Sequence, residues 1–181
     1  MRCSWVDENC EVYVRYHDKE WGKPLHDDTK LFEMLILEGF QAGLSWLTVL
    51  KKRSAFREEF SGFEPEKVAE FDEVKIEKML QNPQIIRSRQ KIDAAVNNAK
   101  IFLQIQQEFG TFDRYLWNFT NGKVQNYGIF PCPAQNELSD TISKDLKQRG
   151  MKYVGSVIIY SYLQAVGVIN DHEPQCFCHT V

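Results

Sequence analysis

Apolar residues recur at helical spacing along most of the chain. After Asp27 and Asp28, either of which can cap a helix, Leu31, Phe32, Leu35 and Ile36 share one face, and Gly39 is expected to end the element. A second helix is predicted from about Ser45, carrying Leu47, Leu50, Phe56 and Phe60 as far as Gly62. Pro65 opens a short helical piece. Asp72 caps the next, with Val74, Ile76, Met79 and Leu80 facing inward, and Asn82-Pro83 breaks the chain. A long helix from about Arg87 to Glu108 sets Ile92, Ala95, Val96, Ala99, Phe102, Leu103 and Ile105 mostly on one side. Thr111 or Asp113 opens another around Tyr115–Phe119. Residues 120–138, rich in Asn, Gly and Pro, read as an irregular connection. Ser139 is expected to cap a basic helix that stops at Gly150, and a nearly all-apolar helix, roughly Gly155 to Val166, belongs at the centre of the core. Strand patterns are scarce and no internal repeat is visible. The pattern predicts an all-α fold.

At 181 residues the chain is long enough for a sizeable core and is expected to form a single domain, 1–181. Its 26% charged and 43% hydrophobic residues are those of an ordinary soluble globular protein. Even the longest apolar run, Val154 to Ile169, is interrupted by Gly, Ser, Tyr and Gln, so no membrane span is expected. The N-terminal residues lack the apolar run of a secretory signal, which predicts a cytoplasmic protein whose five Cys are reduced or metal-bound; a monomer is expected. A net charge of −3 argues modestly against nucleic-acid binding. Its distribution argues the other way, because basic residues cluster at Lys51, Lys52, Arg53 and Arg57, at Arg87, Arg89 and Lys91, and at Lys144, Lys147, Arg149 and Lys152. A footprint on DNA requires these clusters to converge; singly, each is a solvated helix face.

Two constellations carry candidate chemistry. Leu37-Glu38-Gly39-Phe40-Gln41-Ala42-Gly43-Leu44-Ser45-Trp46 sets one carboxylate among apolar and small residues, offers two glycine bends, and ends on an aromatic ring. A carboxylate accepts hydrogen bonds from ring or exocyclic N–H groups while an indole stacks on the ring, which suits an alkylated nucleobase. The plainer alternative is a helix end followed by a core Trp. The second constellation joins Cys3 and His17 near one end to His172, Cys176, Cys178 and His179 near the other. A Cys₂His₂ set drawn from these satisfies tetrahedral zinc and leaves no position for water, which makes one such ion structural. Which four serve is open at this level, and Cys10 and Cys132 read as incidental.

Five ordered blocks, Arg2-Cys3-Ser4-Trp5, Tyr16-His17-Asp18-Lys19-Glu20-Trp21-Gly22, Leu37–Trp46, Lys147–Gly155 and Asn170-Asp171-His172, resemble the bacterial 3-methyladenine DNA glycosylase I family, over residues 2 to about 178. The resemblance implies a helical member of the helix-hairpin-helix glycosylase superfamily with one structural Zn²⁺ held by Cys3, His17, His172 and Cys176, leaving Cys178 and His179 as bystanders. It implies a base pocket of Trp5, Tyr13, Tyr16, Trp21 and Trp46, with Glu38 as the group that acts on the base. The implied reaction is hydrolysis of the N-glycosidic bond of 3-methyladenine in double-stranded DNA, without strand cleavage. It also implies a DNA-contacting hairpin at about Met79–Ala94, where Ile86 and Arg87 sit between two helices, and a wedge at Leu44 or its neighbours. One departure is Gln84, where the family usually carries Gly; a positive φ there would strain Gln. The competing readings are a zinc hydrolase with three protein ligands and a water, a base-binding module without catalysis, and a helical scaffold with a zinc clamp.

Overall fold

The computed structural model describes residues 1–179. Among them the chain forms nine α-helices: α1 (Glu11–Lys19), α2 (Asp28–Gln41), α3 (Trp46–Glu59), α4 (Pro65–Ala69), α5 (Glu73–Gln81), α6 (Arg89–Phe109), α7 (Phe112–Asn118), α8 (Glu137–Gln148) and α9 (Ser156–Ala165). The only β pairing among the described residues is an isolated bridge between Gln125 and Ile169. The fold is therefore all-α, and no helix is long and apolar enough to cross a membrane.

The centre belongs to α2, which is buried without interruption from Leu31 to Phe40 and packs against α3, α6, α7 and α9. A helix buried all round must be apolar all round, so the two carboxylates it carries, Glu33 and Glu38, stand out at 4% and 3% exposure. The helix ends close to Gly39, as expected, at Gln41, so Gly39 lies inside its last turn. A Cβ there would stand 3.3 Å from the Cβ of Tyr153, so glycine lets the 153 segment approach α2. The chain turns at Gly43 instead, at φ +80°, and Ser45 caps α3 by accepting from the Thr48 N–H at 3.2 Å.

Caps set several other boundaries. Asp27 caps α2, while its neighbour Asp28 accepts from the backbone N–H groups of Phe112 and Asp113, both at 2.8 Å, and from Gln106 Nε2 at 2.7 Å. One carboxylate thus caps α7 and ties α2 to α6. Replacing Asp28 by Ala strands these donors and is expected to cost about 2–3 kcal/mol in urea denaturation. The cap of α8 is Asn136, with Ser139 at the third helical position completing a capping box, so this helix begins earlier than Ser139. Helix α1 is an addition to the elements expected from the sequence.

Between α5 and α6 the chain makes a tight turn through residues 82–88. Asn82 Oδ1 accepts from Gln84 N–H at 2.9 Å, and Lys52 Nζ donates to the Pro83 carbonyl at 2.9 Å. Gln84 is absent from the non-glycine residues with positive φ, so the strain expected of it does not arise. The Asn82 side chain shapes the turn without a left-handed residue at position 84.

Four arginines of the basic clusters pair with the protein's own carboxylates. Arg53 and Arg57 both donate to the buried Glu33, at 2.6 and 2.8 Å, and Arg53 also reaches Glu20 at 2.6 Å. Arg89 pairs with Glu73 and Glu77, and Arg149 with Glu108 and Asp145. Lys91 donates to the carbonyls of Phe40 and Ala42 at 2.9 and 2.7 Å, where a cation complements the C-terminal end of α2. Lys51 and Arg87 form no ion pair among the described residues.

Candidate functional site

Four side chains from the two ends of the chain meet in the interior. Cys3, His17, His172 and Cys176 are all buried, and one ligand atom from each lies within 4.8 Å of the others. Cys3 Sγ stands 3.4 Å from His172 Nδ1, and Cys176 Sγ stands 3.4 Å from His17 Nε2 and 3.5 Å from His172 Nδ1. A zinc tetrahedron with Zn–S of about 2.3 Å and Zn–N of about 2.0–2.1 Å has S···N edges of about 3.5 Å. These three S···N contacts already match coordination spacing. The opposite ring nitrogens are also held, because His17 Nδ1 lies 2.8 Å from Asp18 Oδ1 and His172 Nε2 lies 3.1 Å from the Trp21 carbonyl. Those partners accept protons and direct the other nitrogen's lone pair into the cluster. Backbone N–H groups of Glu173 and Cys178 approach the two sulfurs at 3.4 Å, as suits thiolates. Cys178 and His179 stand outside the quartet; His179 Nδ1 turns to the His172 carbonyl.

A cavity of about 300 Å³ opens beside this cluster, lined on one side by Trp5, Tyr13, Tyr16, Trp21, Glu38, Gln41 and Trp46. Helix α1 presents Tyr13 and Tyr16 to it and His17 to the metal quartet, so one helix serves both. The rings brace one another: Trp5 meets Tyr13 at 5.2 Å and Trp21 at 5.0 Å, both edge to face, and Trp21 meets His172 at 4.6 Å. Tyr16 lies tilted against Trp46 at 5.5 Å. The Cys/His cluster and the aromatic wall are therefore one packed unit.

Glu38 enters this cavity from the last turn of α2. Its Oε2 and the Trp46 Nε1 are buried with no hydrogen-bond partner among the described residues. Orphaned buried groups are rare because each forfeits its hydration. Burial pushes the Glu38 carboxyl up to about 8, so at neutral pH it holds its proton. Burial likewise raises the Tyr16 phenol well above its ordinary value. The cavity thus offers apolar faces, one indole donor, and one carboxyl whose charge depends on its guest.

The far wall was not legible in the sequence. Phe130, Pro131 and Cys132 from the irregular connection, Ser161 and Gln164 from α9, and Asp171 and Glu173 close the cavity. Cys132, expected to be incidental, is part of that wall. The available signals were a polar Gln in an otherwise apolar helix and an acidic residue beside His172. Leu44, by contrast, is 41% exposed on the loop between Gln41 and Trp46. Ile86 is half-buried and Arg87 exposed in the turn before α6, apart from the cavity lining.

The chain is similar to known proteins along nearly its whole length. Residues 5–179 match the family model described as methyladenine glycosylase. DNA-3-methyladenine glycosylase 1 of Escherichia coli (strain K12) is 46% identical over 181 residues, covering 98% of this chain and 96% of its own. The DNA-3-methyladenine glycosylase of Haemophilus influenzae is 43% identical over 182 residues, covering 99% and 98%. A crystal structure of 3-methyladenine DNA glycosylase I superposes with a TM-score of 0.95 at 45% identity, covering 99% of this chain and 100% of that one. The Staphylococcus aureus enzyme, solved to explain its recognition of 3-methyladenine, gives 0.92 at 40% identity, covering 97% and 94%.

Proposed function

This chain belongs to the methyladenine glycosylase family, and from that premise we propose that it removes 3-methyladenine from alkylated double-stranded DNA by hydrolysing the N-glycosidic bond. The observation that carries the reading is the orphaned pair inside the aromatic cavity, Glu38 Oε2 and Trp46 Nε1. One is an acceptor and the other a donor, as the edge of a purine requires.

In this reading the damaged nucleotide leaves the duplex stack, at a cost of a few kcal/mol, and its base enters the cavity. Leu44, exposed beside the cavity, fills the space left behind. Ile86 and Arg87 lie in the turn whose backbone N–H groups at the start of α6 meet a DNA phosphate, as in a helix-hairpin-helix grip. The uneven pairing of the basic clusters supports this division of labour, since Arg87 and Lys51 are among the cations without an internal carboxylate.

Methylation at N3 makes the base cationic in DNA and a good leaving group, so the enzyme must recognise charge more than supply acid. The rings contribute cation–π attraction of about 0.5–2 kcal/mol each when well placed. Glu38 adds a sharper test. Beside a cation its proton is released and an ion pair forms in a dry cavity; beside a neutral adenine it stays protonated and that attraction is missing. Water then attacks the sugar carbon. No Lys lines the cavity to form an imine with the sugar, which supports a reaction without strand cleavage.

Cys3, His17, His172 and Cys176 would hold one zinc ion, whose four protein ligands leave it no place for substrate. Its part is to fix the ends of the chain and thereby the Trp5 and Trp21 wall. The chain would act as a single domain, as a monomer, in the cytoplasm.

Chromatography of the bases released from methylated duplex DNA tests the reading. Free 3-methyladenine is the expected product. If folded, metal-loaded protein binds the base yet releases none, the cavity belongs to a binding module and the proposal fails.

A further inference from the structure

The cavity wall formed by α9 and the residues after it contains a hydrogen-bond chain that no part of the mechanism above uses. Tyr160 donates its hydroxyl to Asp171 Oδ2 at 2.6 Å, and Gln164 Nε2 donates to the same oxygen at 2.8 Å. The amide nitrogen also lies 3.7 Å from Cys132 Sγ. Asp171 and Gln164 are 4% and 9% exposed, and both line the cavity.

This chain fixes which end of the Gln164 amide is which. A carboxylate only accepts, so the amide nitrogen must face Asp171; the flipped amide would press oxygen against oxygen. With its nitrogen engaged by Asp171 and Cys132, Gln164 has Oε1 left, and that oxygen meets no donor among the described residues. We infer that Gln164, oriented by Asp171, presents only an acceptor to the bound base and selects the amino edge of 3-methyladenine over the carbonyl edge of 3-methylguanine.

The inference rests on the proposed reaction and deepens it. The two buried unpartnered groups of the cavity, Glu38 Oε2 and Trp46 Nε1, cannot make this selection alone. Trp46 Nε1 only donates, and the Glu38 carboxyl donates when protonated and accepts in either state, so it adapts to both edges. Gln164 cannot adapt while Asp171 holds it. A carbonyl edge against Oε1 forfeits one hydrogen bond and leaves two acceptors facing each other out of water. Asp171 is in these terms a positioning residue, and Gln164 reads the substrate.

The test is the ratio of 3-methyladenine to 3-methylguanine released in single turnovers from duplex DNA methylated at purine N3. Wild-type protein is compared with Asp171→Asn and Gln164→Met. In Asp171→Asn the partner offers both a donor and an acceptor, so the Gln164 amide can turn; Gln164→Met removes the acceptor. Both are expected to narrow the ratio by roughly tenfold, the worth of one hydrogen bond. A merely structural role would slow release of both bases alike. Equal losses for the two bases, or an unchanged ratio in either folded variant, overturn the inference. Failure of the wild-type protein to release 3-methyladenine overturns the underlying reaction instead, and the inference falls with it.

Discussion

Replacing Cys176 by Ala is expected to strip the chain of its metal and lower its melting temperature by about 10 °C or more. Structural zinc contributes on the order of 10–16 kcal/mol of apparent binding energy in small domains, against a typical folding stability of about 5–15 kcal/mol. At this chain length each kcal/mol shifts the melting temperature by roughly 2–4 °C, so even part of that loss is large. The geometry explains why no neighbour compensates: the two sulfurs and two imidazoles are buried at coordination spacing, and Cys178 offers its backbone N–H to the site while its own sulfur is outside the quartet. The paired control, Cys178→Ala, should keep its zinc and its melting temperature. Elemental analysis reads the first quantity and a thermal melt the second. Full metal content in the Cys176 variant would refute the ligand assignment.

Replacing Glu38 by Gln should cut 3-methyladenine release by about 10- to 100-fold, the worth of a charge-assisted hydrogen bond in a dry site. It should leave the fold intact and change how stability depends on pH. The carboxyl sits at about 8 in the folded chain and near 4.5 when unfolded, so the folded state keeps a proton that the unfolded state gives up. Stability therefore falls as pH climbs from about 4.5 through about 8 and is level with respect to this group above that. Over that interval the burial costs several kcal/mol. Gln has no proton to lose, so the variant gains on the wild type across the same window. Melting curves at pH 5 and pH 9 test this: the gap between the two proteins should widen at the higher value. A variant with full activity and a parallel pH profile would remove Glu38 from the mechanism.

Some of this was legible before any coordinates. The 3.6-residue spacing of Leu31, Phe32, Leu35 and Ile36 located α2, and a carboxylate between apolar neighbours marked Glu38. Other features depend on contacts distant in sequence. Gly39 reads as a helix end until Tyr153 is seen packed against it. Helix α1 is not predicted from the spacing of aliphatic residues because the residues it buries are Tyr16 and His17. The basic clusters could be counted, but their carboxylate partners lie 12 to 41 positions away for Arg53, Arg57, Arg89 and the Arg149–Glu108 pair. The far wall of the cavity is assembled from an irregular loop and the end of α9, which no periodicity brings together.

The metal quartet also sets an order of events during synthesis. Cys3 and His17 are made before His172 and Cys176, with most of this sequence between the two pairs. Until then the first two donors are exposed as a half-site, with a thiol open to oxidants and to stray ions. His17 of α1 and Trp21 cannot take their final places against His172 before that point. Helix α2 can pack on α3, α6 and α7 as they emerge, but its contact with α9 and the final aromatic wall wait for the last part of this sequence, which brings His172 against Trp21.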